Sequence, residues 1–445
     1  MKINKTIVAA LLALGVISQA SADPIVYVTG STAFRSTVYA ALANNTGTAN
    51  GGVFDTGTVT AETWGNASAN GADFMVFHGN ISGVGYYIDC AWSGSEAGMA
   101  SSCNASLQNV DRNGSSIALK GSPETWVNAT NPLVSLTWPV NTNSASQSAY
   151  LEGGSHGADM NFADTSQTVS WTPKVTGTAT DLKSYGQIGV VTFTITKNNQ
   201  TGNSGSGIPA GASSSWSNVT NVTLAEMNIL LASGEQPASF FTGNIANDSL
   251  TSVYLVGRNL GSGTRMNMLC DSTYGGHRPV QQYSIGYGVE ETQVNSLILT
   301  NEGNGGYESG GSVAKACGVL GSCQQADPIN SGTNWFALGY VGPSDALNTA
   351  NYGGEPVNCW VTVDGVPSNN GTIENGQWWY WGNEYLYGKH NNSGSADTVA
   401  NQLATSIKKT LLVLNYGVTP GNHDPSIPLT LMNVSKSTDV AFPSY

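Results

Sequence analysis

An arginine runs into a turn of glycine and hydroxyl residues near the middle of the chain, as Gly257-Arg258-Asn259-Leu260-Gly261-Ser262-Gly263-Thr264. Gly261 and Gly263 let the backbone aim its amides at one point, and Ser262 and Thr264 add hydroxyl donors beside the Arg258 guanidinium. A tetrahedral oxyanion needs donors from several directions, and this octapeptide supplies them; a tight turn carrying a surface arginine is the plainer alternative. A second turn, Thr29-Gly30-Ser31-Thr32, follows a β-type stretch from Ile25 to Val28 and opens an Ala-rich helical pattern through Tyr39 to Leu42. The start of that helix offers unpaired N–H groups and the positive end of a dipole, an anion site that needs no basic side chain. Other chemistry is poorly supplied. His78, His156, His277, His390 and His423 lack metal-ligand spacing, and no Gly-x-Ser-x-Gly elbow follows a strand, so a secreted hydrolase is the weakest reading.

The elements that must position these turns alternate in type. Val253 to Val256 is a strand running directly into the Arg258 turn, and Ile188 to Ile195 reads as one buried, β-branched strand. Thr223-Leu224-Ala225-Glu226 has capping-box spacing and starts a helix. Gly305 to Gly311 precedes a helical Val313 to Cys317, and Trp335 to Val341 is a further buried strand. The run Trp378-Trp379-Tyr380-Trp381, with Tyr385 and Tyr387, fits a strand packed between layers or a sugar-stacking surface. Val399 to Leu414 is a helix with Leu403, Ile407, Leu411 and Leu414 on one face. Strands alternating with helices predict an α/β layered architecture. Residues 44–70, 99–150 and 198–217 are polar stretches that read as surface insertions.

Of the 445 residues only 10% are charged, and the formal net charge is −13, which disfavours nucleic acid and anionic membrane as partners. Lys2 and Lys5, an apolar run from Ile7 to Ile17 and the small residues Ala20 to Ala22 predict a signal peptide over residues 1–22. No later stretch is apolar enough to span a membrane, so a periplasmic, secreted or cell-surface location is expected. Six cysteines in an exported chain favour disulfides, with Cys90–Cys103 and Cys317–Cys323 closing short loops and Cys270–Cys359 as a third pair; connectivity among six stays open.

Taken in order, these segments resemble the periplasmic phosphate-binding proteins of ABC import systems, across nearly the whole chain after the signal. The resemblance rests on Thr29 to Tyr39, Trp92-Ser93-Gly94-Ser95-Glu96-Ala97-Gly98, Asp159 to Asp164, Gly257 to Thr264 and Ala337-Leu338-Gly339-Tyr340-Val341. It implies a two-lobed, type II binding-protein fold with crossover hinge strands: lobe I from residues 23–198 and 366–445, lobe II from 199–365. It further implies that Phe34 and neighbouring amides hold phosphate, that Ser95 donates, and that Asp164 accepts the ligand's own proton. Arg258, Ser262, Gly263 and Thr264 would close the site from the other lobe. A carboxylate in an anion site rejects ligands without a proton, favouring hydrogen phosphate over sulfate.

Two positions depart from the family pattern. Ala33 stands where a hydroxyl residue precedes the phenylalanine, leaving Ser31 or Thr32 as donor, and Leu260 stands where an aspartate restrains the arginine. Arg35 could offset part of this. The expected function is therefore non-catalytic phosphate capture by a monomer without cofactor, with an ABC permease as partner. The competing reading is a cell-surface or matrix protein that keeps the scaffold and has lost tight binding.

Overall fold

The computed structural model describes residues 23–64, 71–72, 74–92, 94–102, 136–138, 154–156, 158–170, 182–197, 215–286, 298–307, 309–319, 335–347, 360–413 and 423–436. Most of the expected insertions at 99–150 and 198–217 lie outside these residues, as does the 1–22 leader. In chain order the first elements are β1 (Ile25–Gly30), α1 (Arg35–Leu42), β2 (Thr60–Trp64), β3 (Phe74–Ile81), β4 (Val84–Ala91), α2 (Ser95–Ser102), β5 (Leu136–Trp138), β6 (Gly154–His156), β7 (Met160–Ala163) and β8 (Lys183–Thr192). Next come β9 (Thr194–Lys197), β10 (Asn221–Val222), α3 (Leu224–Ser233), β11 (Glu235–Pro237), β12 (Ser252–Val256), α4 (Gly263–Asp271), β13 (Gln282–Gly286), β14 (Ile298–Gly303), α5 (Gly310–Val319) and β15 (Trp335–Val341). The chain ends with α6 (Pro343–Leu347), β16 (Trp360–Val363), β17 (Trp381–Gly388), α7 (Gly394–Val413) and β18 (Ser426–Ile427).

Two mixed sheets organise this α/β fold, an eight-stranded sheet in the order β18-β8-β17-β7-β1-β4-β3-β2 and a six-stranded sheet in the order β10-β16-β9-β15-β12-β11. In the first, β1 runs parallel to both β4 and β7, while β17 runs antiparallel to β7 and β8. In the second, β12 is parallel to β15, and β9 is antiparallel to β15 and β16. The chain crosses from the first sheet to the second at Phe193 and returns between Val363 and Trp381.

The crossing at Phe193 corrects the expectation of a single strand from Ile188 to Ile195. Residues up to Thr192 pair with β17, whereas Thr194 to Lys197 pair with β15 and β16, so one apolar run serves both sheets. Ile188, Val190, Val191, Phe193 and Ile195 are all buried, and a run without a solvent face carries no pattern that marks where it changes partners. The aromatic run is also interior. Trp378, Tyr380 and Trp381 are buried in the main apolar core, where the Trp378 indole donates to the Phe193 and Tyr380 carbonyls at 3.0 Å each, and these residues present no sugar-stacking face.

Helix α3 begins as its capping box predicts: Thr223 Oγ1 accepts from Glu226 N at 3.1 Å, and Glu226 Oε2 accepts from Thr223 N at 2.6 Å. Helix α7 buries Val399, Leu403, Ile407 and Leu411; Leu414 lies outside the described residues. Near the chain end Lys436 is buried with Asp271, Nζ donating to its carboxylate at 2.7 Å and to the Trp379 and Trp381 carbonyls. This ion pair ties the end of α4 to the start of β17.

Of the expected Cys90–Cys103 pair only Cys90 lies among the described residues. Cys90 is a free thiol built into the apolar core from β4, and burial followed by the neighbouring Asp89 carboxylate pushes its pKa well up. Cys103, Cys323 and Cys359 lie outside the described residues, and with them the Cys317 and Cys270 pairings. No helix among the described residues is long and apolar enough to cross a membrane.

Candidate functional site

The first wall of the site forms where β1 and β7 end side by side. Gly30 has φ 120°, and a Cβ there would collide with the Phe162 backbone, so only glycine lets the chain leave β1 at this point. Ser31 then donates its N–H to the Phe162 carbonyl at 2.8 Å, and its Oγ accepts from Phe34 N at 3.3 Å at the start of α1. The Phe34 ring is fully buried beside Phe162, so its contribution to a ligand is confined to the backbone. Ser95 opens α2 and its Oγ accepts from Asp164 N at 3.2 Å, which fixes the aspartate just beyond β7. Asp164 is buried, and its Oδ1 has no hydrogen-bond partner. Burial raises the carboxyl from 3.8 to about 6, against the opposing pulls of the Ser95 hydroxyl and the Arg258 charge.

The second wall grows from the end of β12. Arg258 N donates to Tyr340 Oη at 3.2 Å, and the Arg258 carbonyl accepts from Arg265 Nη1 at 3.2 Å and Gln282 Nε2 at 2.7 Å, clamping the backbone from three sides. Its guanidinium then reaches both walls, Nη1 donating to Thr264 Oγ1 at 3.3 Å and Nη2 to Thr32 Oγ1 at 3.4 Å. Ser262 caps α4, its Oγ accepting from Arg265 N. Gly263 lies so close to Asp164 that a Cβ would fall on Oδ1 of that carboxylate.

All nine expected ligand residues, Ser31, Thr32, Phe34, Ser95, Asp164, Arg258, Ser262, Gly263 and Thr264, are therefore on these two facing walls. The walls touch. Glu96 N and Ala97 N, at the start of α2, donate to the Gly261 carbonyl at 3.1 and 3.3 Å, and Asn267 Nδ2 donates to the Asp164 carbonyl at 2.8 Å. Burial lowers the Arg258 pKa, opposed first by Asp345 and then by Asp164, and the guanidinium stays charged.

Asp345 and Glu384 are site residues that sequence reasoning missed. Asp345 sits in α6, after β15, and its carboxylate flanks Gly310 opposite Arg258 Nη1, the atom a Gly310 Cβ would meet at 3.6 Å. It supplies the negative charge expected at position 260, whereas Leu260 packs against Met266 and Cys270. Glu384 lies on β17, fully buried, with neither carboxylate oxygen in hydrogen-bond geometry. An acid in a strand dominated by aromatic residues was the available signal. Arg35, which could offset part of the departures at Ala33 and Leu260, donates to the Ala72 carbonyl at 3.3 Å. Among the described residues no cluster of His, Cys, Asp or Glu is placed to hold a metal.

No family model and no curated protein matches the chain. Similar solved structures include one from Clostridium perfringens with bound phosphate, assigned as a phosphate ABC transporter substrate-binding protein: 13% identity, 91% of this chain and 99% of that one, TM-score 0.40. Others are PstS from Borrelia burgdorferi, at 10% identity over 89% of this chain and 97% of that one with TM-score 0.34, and an ABC-type phosphate transport receptor from Vibrio cholerae. The last is 10% identical over 57% of this chain and 78% of that one, with TM-score 0.30. Likeness this slight carries no function across to this chain.

Proposed function

We propose that the chain is an exported, non-catalytic receptor that captures a protonated tetrahedral oxyanion, inorganic phosphate above all, between two lobes. The expected lobe boundary at 198 moves back to the crossing at Phe193, so that residues 23–193 and 366–445 form one lobe and 194–365 the other, with 1–22 as a cleaved leader and an ABC permease as the downstream partner. One observation carries this reading: the buried Arg258 guanidinium spans Thr264 and Thr32 beside the unpartnered Asp164 Oδ1, so a cation and a proton acceptor meet at one dry point. An anion is drawn there by Arg258 and tolerated by Asp164 only if it brings a proton to donate, which disfavours sulfate. Capture couples to lobe closure because Arg258 and Asp164 come from different sheets.

The second reading is a surface protein whose cleft no longer binds tightly. It is favoured by the amides at the start of α2 being already engaged by the Gly261 carbonyl, and by the close packing of Gly263 on Asp164. To separate the two, the protein is unfolded, dialysed free of anion, refolded and titrated with phosphate and sulfate by calorimetry, alongside thermal unfolding. Phosphate binding that raises Tm, absent with sulfate and lost in Arg258→Ala, supports the receptor. No response to either anion makes the surface-protein reading the leading one.

A further inference from the structure

The receptor reading needs one carboxyl beside the ligand, and the site holds two. Tyr385 pairs with Ala163 across β17 and β7, so the next register step sets Glu384 beside Asp164. The Ser31 hydroxyl, just past the end of β1, lies close enough to Glu384 to favour its ionised form against burial. Two carboxyls side by side in a buried anion site cannot both be ionised next to a bound oxyanion without heavy repulsion.

Their surroundings differ in one respect. Asp164 feels the Arg258 cation, which favours its ionised form. Among the described residues no cation is found acting on Glu384: burial, followed by the Asp164 charge, pushes its pKa well above the carboxylate range. The other groups on elements packed around it are committed elsewhere. Glu96 of α2 accepts from the Thr165 and Ser170 hydroxyls, and Arg265 of α4 donates to the Arg258 and Asn304 carbonyls. The β8 residue opposite Glu384 is Gly189, and on α7 Asp397 pairs with Lys183 while Lys408 and Lys409 are exposed. Neighbouring carboxyls pushed apart in this way divide the acid and base roles between them.

Resting on the oxyanion reading, we propose that Glu384 is a neutral hydrogen-bond donor of the same site. Asp164 accepts the proton of the ligand, and Glu384 gives its own O–H to another ligand oxygen. Capture is then tied to a proton held on Glu384, and it fails when alkaline pH removes that proton. The site would take oxyanions that both donate and accept, phosphate and arsenate alike.

The test is calorimetric titration of inorganic phosphate from about pH 6 to about pH 10, reaching past the range in which strongly raised buried carboxyls ionise, with wild type and Glu384→Gln. The glutamine keeps a donor and cannot ionise. The expected result is an affinity that falls in wild type at the alkaline end, by up to about tenfold per pH unit for one linked proton, and a fall missing from the variant. Parallel profiles overturn the proposal while leaving the receptor reading intact, whereas wild type that binds no phosphate at any pH overturns both. Should the variant not fold, infrared spectra of the wild-type complex with isotope-labelled glutamate decide. A protonated labelled carboxyl in the phosphate complex supports the assignment, and its absence at every pH overturns it.

Discussion

Arg258 has to be both buried and charged, and the residue that makes this tolerable is Asp345. A buried guanidinium stripped of its carboxylate is left with the full desolvation cost, which typically amounts to about 3–5 kcal/mol. Asp345 is the strongest charge opposing the loss of the Arg258 proton, ahead of Asp164. Asp345→Asn is therefore expected to weaken phosphate binding by at least about tenfold, the equivalent of 1.4 kcal/mol, with Asp345→Glu recovering part of it. Calorimetry on both variants checks this, with Tm measured in parallel; a lowered Tm with unaltered affinity would make Asp345 a packing residue only. Adding a carboxylate at Leu260 is not expected to compensate, because that side chain faces Met266 and Cys270. The change from position 260 to 345 was invisible in the sequence, since it depends on the turn after β15 returning to the end of β12 across more than eighty residues.

At the scale of elements, the site is a meeting of two turns, and glycine decides how closely they meet. A Cβ at Gly263 would land on Asp164 Oδ1, and the tip of α4 cannot yield while Ser262 caps it and Asn267 holds the Asp164 carbonyl. Gly263→Ala is expected to leave each sheet folded and to obstruct closure, lowering phosphate affinity by more than about tenfold while Tm shifts by only a few degrees, within the range of a single mild substitution. Small-angle scattering that finds the variant as compact as wild type, with normal affinity, would count against closure at this contact. Legibility in the sequence divides along the same line between local and long-range geometry. Trp335–Val341, the Thr223 capping box and the Arg258 turn were legible because local spacing fixes them. The split of Ile188–Ile195 between two sheets and the alignment of Glu384 with Asp164 were not, because both depend on which strands pair.

For the whole molecule, the site makes the anion-free protein sensitive to alkali. Burial raises Asp164 to about 6 in the folded chain against 3.8 for the free group, and Glu384 is likewise raised well above its free value. A carboxyl raised on folding means the native state holds more protons than the unfolded one between the two pKa values, so stability falls as pH rises through that window. For Asp164 the loss runs from about pH 4 to about pH 6 and amounts to about 3 kcal/mol at 1.36 kcal/mol per unit, and Glu384 extends the decline to higher pH. Asp164→Asn should accordingly raise the Tm of the stripped protein at about pH 7.5 by several degrees while abolishing the preference for phosphate over sulfate, so that the substitution that damages function stabilises the fold. Phosphate added to wild type should restore stability by mass action, because the bound anion brings the proton that Asp164 lacks. Thermal melts of wild type and variant across pH, with and without phosphate, test both statements together. A stripped wild type that gains stability relative to Asp164→Asn as pH rises from about 4 to about 7 would mean that Asp164 is held as a stabilised carboxylate, and that the charge of Arg258 outweighs burial.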